Sequence, residues 1–206
     1  MSTELIKGIE QHDLDRVAAL LTQGADPNAG QLEYPWWTPL GVAIEELDNG
    51  GSMEMLQLLL KHGADVNGWD SKHQATPLLM AMFRNNKDAM RMLLDAGADP
   101  NAVGAEGDMP LLWAAERNDL EMAQLFLKFG AAKTIDKYGA FSRGTPLGLA
   151  AQNLNIPMME LLLNAGADPE ALDDDDAPAR ESLPAREQSD PEVWDTALEL
   201  LSLRTA

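Results

Sequence analysis

Cysteine is absent from the chain, so disulfides, thiolate metal sites and cysteine nucleophiles are excluded and the fold is indifferent to redox compartment. Basic residues are scarce: 15 Lys and Arg stand against 34 Asp and Glu, a net charge of −19. Such a chain repels a phosphate backbone, which argues against nucleic acid as a partner. No apolar run approaches membrane-spanning length, and Met1-Ser2-Thr3-Glu4-Leu5-Ile6-Lys7 lacks a basic segment leading into a long apolar one. We therefore expect a cytoplasmic protein with neither a secretory signal nor a membrane partner. Aromatics make up only 5% of the residues, yet 45% are hydrophobic and 24% charged, the balance of a folded chain with a substantial core.

What the chain has is a repeat. Leu20-Leu21-Thr22-Gln23-Gly24-Ala25-Asp26-Pro27-Asn28 returns as Leu59-Leu60-Lys61-His62-Gly63-Ala64-Asp65-Val66-Asn67 and as Leu93-Leu94-Asp95-Ala96-Gly97-Ala98-Asp99-Pro100-Asn101. Looser copies centre on Gly130 and Gly166, and the five glycines are spaced by 39, 34, 33 and 36 residues. In step with them come Thr38-Pro39-Leu40, Thr76-Pro77-Leu78, Met109-Pro110-Leu111 and Thr145-Pro146-Leu147. Each marks a helix start, with threonine as N-cap and proline at the first helical position, where its missing N–H is not needed. Met109 has no side-chain oxygen, which predicts a weaker cap. A second helix follows a polar break and stops at the glycine, the natural left-handed residue beyond a helix C-terminus. The segment after each glycine is too polar and too broken for a helix and reads as a projecting turn or hairpin.

At these residues the chain resembles the ankyrin-repeat family, whose signatures are Thr-Pro-Leu-His at the first helix and Leu-Leu-x-x-Gly-Ala-Asp-x-Asn after the second. The resemblance implies an all-α solenoid of stacked antiparallel helix pairs, with hairpin fingers and a concave face built from fingers and first helices. The histidine of the signature is replaced by Gly41, Leu79, Leu112 and Gly148, which removes a hydrogen-bonding partner from every cap. We expect one domain over 1–206 with about six units: an amino-terminal cap over 3–28, then 38–67, 76–101, 109–134, 145–170, and a degenerate cap over 183–204. The last closes the core with Val193, Trp194, Ala197, Leu198 and Leu201. Polar end units are needed because their far sides meet water. Asp48 to Ser52 widens the break between the helices of the second unit, which is four residues longer than the third, and is read as a surface turn; Asp173 to Asp176 is read as a solvated acidic loop.

The three histidines, His12, His62 and His73, belong to no metal-binding or nucleophile motif, and no phosphate or dinucleotide loop is present. We therefore expect no catalysis, cofactor or metal. The family resemblance instead implies contacts with another protein at finger tips and first helices. These positions are Tyr34, Trp36, Trp37, Glu45 and Glu46, then Trp69, Lys72, His73, Phe83 and Arg84. They continue with Glu106, Asp108, Glu116 and Arg117, then Tyr138, Phe141, Arg143, Gln152 and Asn153. The first finger holds three of the eleven aromatics, and exposed Trp36 or Trp37 would serve as binding anchors. Trp113 belongs to the core by its phase.

The expected function is non-enzymatic capture of a basic protein partner by a chain that is monomeric when free. The acidic field speeds encounter, and aromatics set residence time. A free-standing inhibitor fits this frame, including an immunity protein that neutralises a toxin. A regulatory small-molecule-binding scaffold and a homo-oligomerising scaffold remain open beside it.

Overall fold

The computed structural model describes residues 2–29, 38–71, 73–140 and 142–202. It divides into two compact units, Met1–Asp99 and Pro100–Ala206. The first unit holds α1 (Ser2–Glu10), α2 (Leu14–Thr22), α3 (Pro39–Glu46), α4 (Met53–Lys61), α5 (Pro77–Phe83) and α6 (Lys87–Asp95). The second holds α7 (Pro110–Glu116), α8 (Leu120–Lys128), α9 (Pro146–Gln152), α10 (Ile156–Asn164) and α11 (Pro191–Ser202). Helices pair within each repeat, and the first helices pack in rows, α1 on α3 on α5 and α7 on α9. The fingers are turns, one of the two alternatives read from the sequence, and among the described residues a single β-bridge, Asp70 to Ala75, closes one of them.

Local sequence explains these elements. The five helix-stopping glycines all have φ between 88° and 101°. At four interhelix turns a left-handed residue (His12, Asn85, Asn118 or Leu154) precedes an Asp or Asn whose side chain accepts the third amide of the next helix. The insertion replaces that device with a 3-10 turn, Leu47–Asn49, and left-handed Gly50.

The threonine caps divide. Thr38 accepts from Gly41 N–H at 3.0 Å and Thr145 from Gly148 N–H at 3.1 Å. The cap expected at Thr76 is not made: its Oγ1 is buried without a hydrogen bond among the described residues. Met109 likewise has no side-chain cap, as expected. Thr76→Val should therefore be neutral or stabilising by up to about 1 kcal/mol, because it removes an unsatisfied hydroxyl. Thr145→Val should cost about 1 kcal/mol through loss of a working cap. Urea midpoints of the two variants should move in opposite directions or differ by that margin.

The recurrent asparagine links successive repeats. Asn28 donates to Gly63 O at 2.9 Å and accepts from Asp65 N–H; Asn67 does the same with Gly97 and Asp99, and Asn101 with Gly130 and Lys133. In the next link Asp136 accepts from Asp168 N–H at 2.9 Å but has no amide to donate. Burial pushes the Asp136 pKa up; the Asp168 amide hydrogen bond opposes this and the Asp168 charge adds to it. Its folded state thus holds the proton better than the unfolded chain, and stability from this group falls as pH rises through the carboxyl range. Asp136→Asn should stabilise by about 1 kcal/mol at neutral pH. Thermal unfolding of both proteins from pH 3 to 7 should show their gap widening with pH.

At the carboxyl end the structure departs from expectation. No first helix follows Leu183-Pro184; the 3-10 turn Ala179–Ser182 occupies the place against α9, and α11 packs on α10 and both neighbouring 3-10 turns. Ala197 and Leu201 are buried, Val193 and Trp194 are half-buried, and Leu198 is exposed. Among the described residues α11 is packed by α10 and the two 3-10 turns, and the stripe that faces them is the buried one. Trp194 is fixed instead through its Nε1–H, which donates to Pro184 O at 2.8 Å.

Candidate functional site

In the first unit the charged side chains picked out by sequence converge on one another. Glu45 stands at the end of α3, His73 in the 70–75 finger and Arg84 just beyond α5. His73 Nε2 lies 3.6 Å from Glu45 Oε2, and Arg84 Nη2 lies 3.9 Å from Glu45 Oε1. Arg84 Nε is 3.4 Å from Asp48 Oδ2, an ion-pair distance without the alignment of a hydrogen bond. Glu46 pairs with His12 at 2.9 Å, so His12 is bonded rather than simply solvated.

Beneath this network is a residue that sequence reading missed. Asp70 is wholly buried. It accepts from Thr38 N–H at 3.1 Å, from His73 N–H at 3.1 Å and from His73 Nδ1 at 2.9 Å. A Cβ on Gly41 would sit 2.6 Å from Asp70 Oδ2. The missing signature histidine is therefore not a lost partner here: glycine leaves room for a carboxyl group from the following finger to bond the cap instead. A Gly in the histidine position followed about thirty residues later by an Asp in a finger was the available signal.

What the network leaves to solvent is aromatic. Trp69 is 49% exposed and Phe83 46%, both at positions expected to meet a partner. In the second unit Tyr138 is 44% exposed. Trp113 is 5% exposed, as expected for core, and the Arg117 guanidinium stacks 4.6 Å from its ring centre. Glu106, Asp108 and Glu116 border a small cleft beside it. Gln152 and Asn153 are exposed. Arg143 is exposed but paired with the acidic run, with Nε 2.9 Å from Asp174 Oδ2 and Nη2 2.5 Å from Asp175 Oδ1, and these carboxylates push its pKa up. The acidic run thus has an internal cation and a defined turn, in which Asp173 Oδ1 accepts from Asp175 and Ala177 N–H. Tyr34, Trp36, Trp37, Lys72 and Phe141 lie outside the described residues.

Among the described residues no group of three or more His, Asp or Glu is placed to hold a metal, and no helix is long and apolar enough to cross a membrane.

A family model described as ankyrin repeats (3 copies) matches residues 5–104 and 96–173. Human ankyrin repeat and SOCS box protein 6 is 34% identical over 206 residues, 89% of this chain and 46% of that protein. Human transient receptor potential cation channel subfamily A member 1 is 29% identical over 172 residues, 81% of this chain and 15% of that protein. The chain spans less than half the length of both relatives. Among solved structures, the ankyrin repeat domain of Bcl-3 matches with a TM-score of 0.72 and 26% identity, over 93% of this chain and 80% of that one.

Proposed function

Because the chain belongs to the ankyrin-repeat family and shares its all-α fold, whose repeats are protein–protein interaction modules, we propose that it captures one specific basic protein without catalysis. The contact face in this reading is formed by fingers and first helices. The carrying observation is that Trp69, Phe83 and Tyr138 are exposed at those positions on a chain of net charge −19. Large aromatics bury much area with few rotors, and clustered acid steers a cation-rich surface toward them. Glu45, His73 and Arg84 serve as a pre-formed frame around the aromatics, since ordering them costs nothing further on binding. Tyr34, Trp36, Trp37, Lys72 and Phe141 are proposed contact residues as well.

In its sharper form the protein is a cytoplasmic inhibitor of the immunity type, monomeric when free, that occludes a basic groove on a toxin. The proposed repeats run over 3–28, 38–67, 76–101, 109–134, 145–170 and 183–204, the first and last as caps. The test is affinity purification of tagged protein from its native host at physiological salt, comparing the parent with a Trp69→Ala, Phe83→Ala double variant and with a Trp36→Ala, Trp37→Ala one. One co-purifying basic protein, retained through a moderate salt wash and lost from a folded variant, is the expected result. Recovery of nothing, or only of assorted basic proteins that wash off with slightly raised salt, would sink specific capture.

A further inference from the structure

A groove with a volume of about 510 Å³ runs between α2 and α4 in the first unit, on second helices and with no finger residue in its lining. Its floor is apolar. Leu14 and Ala18 stand one turn apart on α2, and Leu58 meets them from α4. Leu14 is 37% exposed and the other two are half-buried, so this carbon surface is open to solvent. Glu54 and Lys61, both in the lining, are seven residues apart on α4, which gives the groove a length of about 10 Å, or two helical turns.

The charges along it are ordered. Asp15 and Glu54 each stand nine residues before the glycine that ends their repeat's second helix, so both mark the amino-terminal end of the groove, in the first turns of α2 and α4. Asp13, the N-cap of α2, adds a third carboxylate at that end. The Glu54 carboxyl is held below its usual pKa by its own backbone N–H and by the Ser52 hydroxyl. Arg16 on α2 is a cation near this end, but its guanidinium is engaged by Glu4 and Gln11 and is not part of the lining. Lys61 stands at the carboxyl-terminal end, in the last turn of α4, with His62 next in the chain.

These features restrict what covers the groove. Its floor offers no polar group to orient a small molecule, and its ionic groups are spread over two turns instead of converging. A helix laid antiparallel to α2 and α4 matches it. Helices favour acids in the first turn and bases in the last, so the basic end of such a helix comes over Asp15 and Glu54 and its acidic end over Lys61. Its apolar residues at i, i+4 and i+7 then enter between Leu14, Ala18 and Leu58. We propose that the groove docks an amphipathic helix of a partner protein in this antiparallel sense, with Asp or Glu in its first turn and Lys or Arg in its last. The proposal goes beyond the reading above and stands apart from it, being built on second helices instead of fingers and first helices.

The probe is an acetylated, amidated helical peptide with three glutamates in its first turn, three lysines in its last and leucines along one face. Its zero net charge removes the general attraction that a chain of net charge −19 exerts on any cationic peptide. The control peptide exchanges the two charged turns. Both are titrated into the ¹⁵N-labelled full chain. The expected result is a set of saturable shifts of α2 and α4 amides, with the first peptide bound about fivefold more tightly than the control. Leu14→Gln, a change at an exposed position that keeps the fold, should weaken binding about fivefold. Reversing the rim with Asp15→Lys and Lys61→Glu, both at the surface, should erase or invert the preference between the peptides. A preference that came only from the peptides' own helicity would survive that variant unchanged, and this result would overturn the proposal. No saturable shift, shifts gathered around Trp69, Phe83 and Tyr138 instead, or indifference to Leu14→Gln also overturns it. So does a concentration-dependent mass of the parent chain that Leu14→Gln abolishes, which assigns the groove to a second copy.

Discussion

Asp70→Ala is expected to lower the unfolding free energy by about 3 kcal/mol, the scale set by removing one partner from a buried polar cluster. The loss exceeds that of an ordinary surface carboxyl because Asp70 is wholly buried. Its removal strands the Thr38 and His73 amides and the His73 ring nitrogen together. Chemical denaturation measures the cost, and Asp70→Asn should recover only part of it, because an amide offers one acceptor oxygen where two are in use. A cycle with Gly41 isolates the geometry. Gly41→Ala alone should destabilise, since its Cβ would meet Asp70 Oδ2 at 2.6 Å and Thr38 Oγ1 at 2.8 Å. In the Asp70→Ala background the same change should cost much less or turn favourable, because alanine is the better helix former by about 1 kcal/mol. Additive effects would show that Asp70 does not occupy the space the glycine leaves.

The second large effect belongs to Phe126 on α8, a fully buried side chain in the second unit. Truncating it in Phe126→Ala should cost about 4 kcal/mol, combining lost transfer free energy with the cavity that close-packed neighbours cannot fill. Phe126→Leu should recover more than half of the loss. Because each repeat touches only its neighbours, amide exchange should rise first in α7, α8 and α10. A loss below about 1 kcal/mol would mean that α8 is not a packed element of this unit.

The repeat was readable from sequence because its rules are local. A left-handed glycine, a proline at the first helical position and an asparagine four residues after the glycine each act within a few bonds. The structure realises them at Gly24, Gly63 and Gly97 and at Asn28 and Asn67. The exposed aromatics Trp69, Phe83 and Tyr138 followed from phase in the same way. What was not readable depends on the path of a finger. The turn closed by the Asp70 to Ala75 bridge decides that Asp70 points under α3 while His73 meets Glu45, and no periodicity encodes that choice. Nor does a Thr-Pro pair show whether its hydroxyl reaches an amide: Thr145 and Thr76 share the motif, and only Thr145 forms the cap. In α11, apolar spacing picked out Leu198 as core, yet it lies off the stripe marked by buried Ala197 and Leu201.

The asparagine links carry a chemical consequence for the ageing of the molecule. Asn67 is followed by Gly68, a pairing in which the unhindered glycine amide nitrogen can attack the side-chain carbonyl carbon, expelling ammonia and closing a cyclic imide that water then opens to a carboxylic acid. In the folded chain the Gly68 N–H is held by Asp65 O at 3.1 Å, and the Asn67 amide is engaged at both ends, by Gly97 O and by Asp99 N–H. Attack therefore waits on opening of the finger, and the rate of deamidation at Asn67 becomes an internal clock for that opening. Each event would replace a donor by a carboxylate facing the Gly97 carbonyl, so a link once lost in this way repels the strand of chain it formerly held.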